Sequence, residues 1–137
     1  RKNLFSLVMN STSISELYQI FNLGVSKYWE THYNFDKESS KKMKKLSKSF
    51  IDLLVINTII PLRFAYARSQ NKEITQELID LATLIPAEQN VIIEKFKIFG
   101  LQVNNVYESQ ALLELKKNYC DHKKCLDCTI GHFILKK

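Results

Sequence analysis

Residues 49–68 constrain this chain most. Phe50, Ile51, Leu53, Leu54, Val55, Ile56, Ile59, Ile60, Leu62 and Phe64 place apolar side chains nearly all the way round a helical wheel. That pattern belongs to a helix enclosed by others rather than one lying on a surface. Asp52, Asn57, Pro61 and Arg63 interrupt the run, so it falls short of the roughly twenty clean apolar residues of a membrane span. Pro61 has no backbone N–H, which predicts a kink or break one turn upstream. The 137 residues include only three glycines and two prolines, few for a sheet-rich domain with its many turns. The expected fold is all-α: an irregular bundle of about six helices around this buried, Pro-interrupted central helix.

By length the chain reads as a single domain, residues 1–137. It opens Arg1-Lys2-Asn3 without a Met, as expected of the C-terminal fragment of a longer protein. Residues 3–9 suggest a short helix. Ser13 and Glu16 form a capping box, in which Glu16 reaches back to the Ser13 N–H, and the helix they open should end near Gly24. Asn71 is expected to cap a helix over 72–84. Pro86 suits the first position of a helix running to Phe99 and stopped by Gly100. Asn105 with Glu108 opens the last long helix, whose inward face should carry Ala111, Leu112, Leu115 and Tyr119.

Two regions depart from this helical background. Tyr28, Trp29, His32, Tyr33 and Phe35 form an aromatic cluster. Trp29, His32 and Tyr33 would share one helical face, expected to pack against a neighbouring helix with His32 half-buried and hydrogen-bonded. Lysines follow at 41, 42, 44, 45 and 48, and again at 116, 117, 123, 124, 136 and 137. With a net charge of +6, such patches attract nucleic acid, anionic lipid or an acidic partner, or simply solvate the surface. Lys41, Lys42, Lys44, Lys45, Lys123 and Lys124 are the candidate nucleic-acid contacts.

The second region is 119–132, which holds all three cysteines of the chain. An odd number cannot pair off within one chain, and reduced thiols in the cytoplasm are the expected context. Cys120, Cys125 and Cys128 with His132 would complete a Cys₃His structural zinc knot, and His122 is a second candidate for the fourth place. The spacing of the cysteines also matches three ligands of a [2Fe–2S] ferredoxin, with the fourth missing. Reduced cysteines without metal, one or two of them packed against Leu126, Ile130 and Phe133, are the third reading.

Four blocks are familiar together: Tyr28-Trp-Glu-Thr-His-Tyr-Asn-Phe35, Ile56-Asn-Thr-Ile-Ile-Pro-Leu-Arg-Phe-Ala-Tyr66, Ile85-Pro-Ala-Glu-Gln-Asn90, and Ser109 to Cys120 with Cys125 to Gly131. They resemble the C-terminal part of the bacterial family known as domain of unknown function 2851, over most of residues 4–136. The resemblance brings no activity with it. It implies a longer protein, with an N-terminal part similar to a restriction-endonuclease-type nuclease core and none of that core's blocks in this chain. The chain itself has no Gly-rich phosphate loop, His-Glu-x-x-His pair or nucleophile elbow. The expected role is therefore a non-catalytic accessory domain that binds nucleic acid or positions the N-terminal part of the same protein, away from membranes. The alternative is a structural or protein–protein interaction domain.

Overall fold

The computed structural model describes residues 3–136. It is mainly helical, in two compact units that divide between Leu78 and Ile79. The chain runs α1 (Leu4–Asn10), α2 (Ile14–Phe21), α3 (Lys27–Glu30), β1 (His32–Asn34), β2 (Lys37–Glu38), α4 (Lys48–Leu54), a π-helical turn (Val55–Ile59), α5 (Ile60–Ser69), α6 (Thr75–Thr83), α7 (Val91–Ile98), α8 (Val106–Leu115), a second π-helical turn (Lys116–Cys120) and α9 (Thr129–Leu135).

In the first unit α2 packs against α1 and α4. Val8, Leu17, Ile51 and Val55 are buried there. Both ends of α4 follow from local chemistry. Ser47 Oγ accepts the Phe50 N–H at 3.1 Å and opens the helix. At the other end, where the sequence predicts a kink or break one turn before Pro61, the helix widens into the π turn 55–59 and continues through α5. The proline ring crowds the carbonyl four residues back, at Asn57, and a wider turn relieves that crowding. The Asn57 amide donates to the Leu53 carbonyl at 3.0 Å, so its polar group is satisfied by its own helix.

The resulting helix, Lys48–Ser69, spans 22 residues and is long and apolar enough to cross a membrane, which the count of interruptions in the sequence denies. It is not enclosed on all sides. Ile51, Val55, Ile56, Ile59 and Ala67 are buried, whereas Phe50, Leu53, Leu62, Phe64 and Tyr66 are exposed. Asp52 is held inside this unit by Tyr18, whose hydroxyl donates to Oδ1 at 2.5 Å. Burial, and then the hydrogen bond and charge of Asp52, push the Tyr18 phenol well above its ordinary value. The folded chain therefore keeps this proton after the unfolded chain has lost it. Stability from this pair is intact below about pH 10, the usual phenol range, and is lost as pH rises beyond it. Denaturation followed from pH 8 upward should show this fall, and Tyr18→Phe should flatten it.

The capping boxes form with one change. Ser13 Oγ accepts the Glu16 N–H and Asn105 Oδ1 accepts the Glu108 N–H. Each glutamate reaches one residue further back than expected, to the Thr12 N–H and the Asn104 N–H, both at 2.7 Å.

Three helices end in the same reverse turn. Lys72 N–H bonds to Ala67 O and Asn71 N–H to Arg68 O; Leu101 N–H to Phe96 O and Gly100 N–H to Lys97 O; Lys124 N–H to Tyr119 O and Lys123 N–H to Cys120 O. This paired bonding is the Schellman motif, which needs a left-handed residue just past the helix. Asn71 (φ 54°), Gly100 (φ 89°) and Lys123 (φ 54°) supply it. Asn71 thus closes α5 instead of capping the next helix. Lys123 holds a conformation that costs a residue with a Cβ about 1 kcal/mol. Lys123→Gly should stabilise this turn by a similar amount, read as slower hydrogen exchange of the Lys124 amide.

In the second unit Ile85, Ile93, Val103, Val106 and Ser109 are buried. Residues 86–89 are not helical. Pro86 bridges Asn105 in an extended pairing, and α7 begins only where Asn90 Oδ1 accepts the Ile92 and Ile93 N–H groups at 3.1 and 3.0 Å. Glu88 ties the segment to α8. Its carboxylate accepts from Gln110 Nε2 at 2.7 Å, and its N–H donates to the buried Ser109 Oγ at 3.3 Å.

Candidate functional site

Part of the first lysine run meets the aromatic cluster in the first unit, through Lys44 at His32 and Tyr33 and Lys41 at Glu30. Helix α3 ends at Glu30, so the helical face expected for Trp29, His32 and Tyr33 does not exist. His32 to Glu38 instead fold back as a two-strand hairpin. Asp36, at its tip, takes a left-handed conformation (φ 58°), and its N–H donates to the Tyr28 hydroxyl at 3.2 Å. The rings stack on each other. Tyr28 lies flat on His32 with centroids 4.0 Å apart, and Trp29 meets Tyr28 and Phe35 edge-on, each at 5.0 Å. His32 is half-buried with Nδ1 2.9 Å from the Tyr28 carbonyl, as its sequence context predicts. The outer rings are not covered: Tyr33 is 63% and Phe35 74% exposed.

Part of the lysine run returns to this cluster. Lys44 Nζ donates to the His32 carbonyl at 2.6 Å and stands 3.5 Å over the centre of the Tyr33 ring. Lys41 pairs with Glu30 at 3.1 Å. Lys45 Nζ lies 3.5 Å from Asn22 Oδ1. The Lys42 N–H donates to the Glu30 carbonyl, and its side chain is exposed. An exposed pair such as Lys41–Glu30 contributes little to stability, so Lys41 can exchange its partner cheaply. Lys44 is the fixed cation of the group.

The cysteines sit in the second unit. After the Schellman turn at Lys123 the chain folds back, and Cys120, Cys125 and Cys128 line one pocket of about 170 Å³ with Leu115, Ile130 and Ile134. Lys124 stands on the same pocket. Lys123 forms the turn beside it and is exposed. Gly131 makes the fold-back possible, because a Cβ there would lie 2.4 Å from the Cys125 carbonyl oxygen. Cys120 and Cys125 are exposed and Cys128 is buried. His132 and His122 are exposed and do not line the pocket. Among the described residues no three His, Cys, Asp or Glu side chains converge closely enough to hold a metal ion as they stand. Leu126 and Ile130 are 77% and 53% exposed, so the packing expected for reduced thiols is also incomplete.

Residues 1–91 match the model of the family described as Protein of unknown function (DUF2851). The chain belongs to that family. The DUF2851 match covers the first three sequence blocks named above as far as Val91, and the cysteine segment lies beyond it. Neither the curated proteins nor the solved structures compared with the chain give a match.

Sequence reasoning missed two structural features of the candidate sites in this DUF2851 chain. One is the hairpin that carries the rings to the lysines. A two-residue turn at Phe35-Asp36, with Asp tolerating a left-handed backbone, was its signal. The other is the left-handed Lys123, for which lysine gives no signal. Lys137 lies outside the described residues.

Proposed function

We propose that this DUF2851 chain is a non-catalytic accessory domain whose face at residues 28–45 binds single-stranded nucleic acid. The observation that carries the reading is the Lys44 ammonium 3.5 Å over the Tyr33 ring, beside the exposed Phe35 and the lysines 41, 42 and 45. Single-strand sites combine open rings, on which bases stack for about 1–3 kcal/mol each, with cations that follow the phosphates. The arrangement offers both within one hairpin and its following loop. Tyr33 and Phe35 are the stacking candidates, Lys41 and Lys42 the phosphate contacts, and Lys44 the group that orients Tyr33. In the longer proteins that the resemblance describes, such a face would hold a strand for chemistry performed elsewhere.

Fluorescence anisotropy with a labelled oligonucleotide at about 0.1 M salt tests this. Single strands should bind more tightly than duplex, with quenching of Trp29, the sole tryptophan. Tyr33→Ala with Phe35→Ala should weaken binding about tenfold or more, and Lys42→Glu should lower the salt dependence. Absence of binding at lowered salt as well would end the proposal.

A second reading, a protein-interaction domain, draws on α7. Val91 and Ile98 there, and Phe99 just past its end, are 73%, 80% and 81% exposed, and the apolar pair Val91 and Ile98 shares a surface hollow. Sedimentation equilibrium separates the two: a dimer abolished by Ile98→Asp would favour this reading.

A further inference from the structure

We infer that the C-terminal pocket is a three-thiolate site for a zinc ion, held by Cys120, Cys125 and Cys128, with no histidine of this segment as a ligand. Backbone features bring the three residues round one cavity. The Schellman turn returns the chain past Cys120, with the Lys124 N–H on the Tyr119 carbonyl at 3.0 Å. The bare Cα of Gly131 lets α9 press against the backbone of Cys125. Cys128 stands at the N-cap of α9 with no side-chain hydrogen bond to the helix, so its sulfur is not engaged in capping. Apart from the sulfurs, the pocket wall is apolar at Leu115, Ile130 and Ile134.

His132 sits one turn along α9 and donates its N–H to the Cys128 carbonyl at 2.8 Å, but its ring does not reach the cavity. This separates the inference from the Cys₃His knot that the spacing suggests. The sulfurs do not yet share one point. Cys120 and Cys125 are exposed, so their side chains can turn inward to the roughly 2.3 Å of a zinc–sulfur bond without displacing packed neighbours. Three thiolates around a dication leave one negative charge; Lys124, whose stem lines the pocket, can turn its ammonium toward it, the compensation that an apolar site requires. Each thiol that enters the site releases its proton to solvent as its zinc–sulfur bond forms. A water molecule would complete the tetrahedron, the arrangement of an open zinc site.

Cobalt(II) titration of the reduced full chain, followed by zinc displacement, tests this. A thiolate-to-cobalt charge-transfer band should grow to one equivalent and vanish when zinc is added. Cys120→Ser, Cys125→Ser and Cys128→Ser should each abolish the tight band, and His132→Ala and His122→Ala should leave it unchanged. Alkylation of the unaltered protein, read by mass spectrometry, needs no variant: zinc should slow modification of all three cysteines together. Absence of the band, protection of fewer than three cysteines, or loss of the band in His132→Ala would each overturn the three-thiolate assignment.

Discussion

Leu17→Ala is expected to cost the first unit about 2–5 kcal/mol, the range for deleting a fully enclosed leucine whose surroundings relax only in part. Leu17 is 0% exposed and belongs to α2, the helix that packs against both α1 and α4. The lost methyl groups leave a cavity between elements tied together by the Tyr18–Asp52 bond, and this limits their collapse. Against a typical total stability of about 5–15 kcal/mol, such a loss should move the urea midpoint far to lower concentration. Trp29 lies in the same unit and reports the transition. Leu23→Ala is the matched control: at 67% exposed, its removal should change stability by less than about 0.5 kcal/mol. Equal effects from the two substitutions would mean that α2 is not the keystone of this unit.

Gly131→Ala should have the second large effect, and a local one. The added Cβ would meet the Cys125 carbonyl oxygen at 2.4 Å and its Cα at 2.8 Å. Both are backbone atoms, which no side-chain rotation can clear. Overpacking of this kind costs about 1–3 kcal/mol, and α9 can escape it by lifting away. Cys128, the buried thiol of the three, should then be alkylated about tenfold faster or more, the rate change that a cost of this size implies for local opening. The urea midpoint reported by Trp29 should stay where it is. An unchanged Cys128 rate would show that α9 and the Cys125 loop are not pressed together.

Much of the helical fold was legible because its signals are local. Ser13 with Glu16, Asn105 with Glu108, and Gly100 act within four residues of themselves, and the structure uses each of them. Asn71 was read with the wrong sign, since asparagine serves both as an N-cap and as a left-handed C-terminal residue. The choice between these depends on bonds to Ala67 and Arg68 that the sequence does not display. The even apolar coverage of residues 50–64 predicted a helix enclosed all round. Only one stripe of it is buried, because hydrophobic content does not say how many neighbours exist to cover it. The aromatic cluster failed as a helical face for a comparable reason. A hairpin with strands of three and two residues has too little alternation to read, yet it decides where Tyr33 and Phe35 point. At the C-terminus the cysteine spacing singled out three residues that line one pocket. It could not separate His132 from the cavity, which the direction of α9 does.

The π turn at 55–59 has a geometric result for the helix that contains it. Ile51, Val55, Ile59 and Ala67 fall on a spacing of four or its multiple, and all are buried. In an unbroken α-helix each step of four residues advances the side chain by about 40°. Ala67 would then emerge nearly opposite Ile51, and no straight neighbour could cover both. A wider turn in the middle takes back roughly one residue's worth of that rotation. Pro61 therefore acts as a phase corrector for the buried seam. Shortening the turn by one residue would leave every apolar side chain in place in the sequence, yet rotate the α5 half by about 100° and face a different set of them inward.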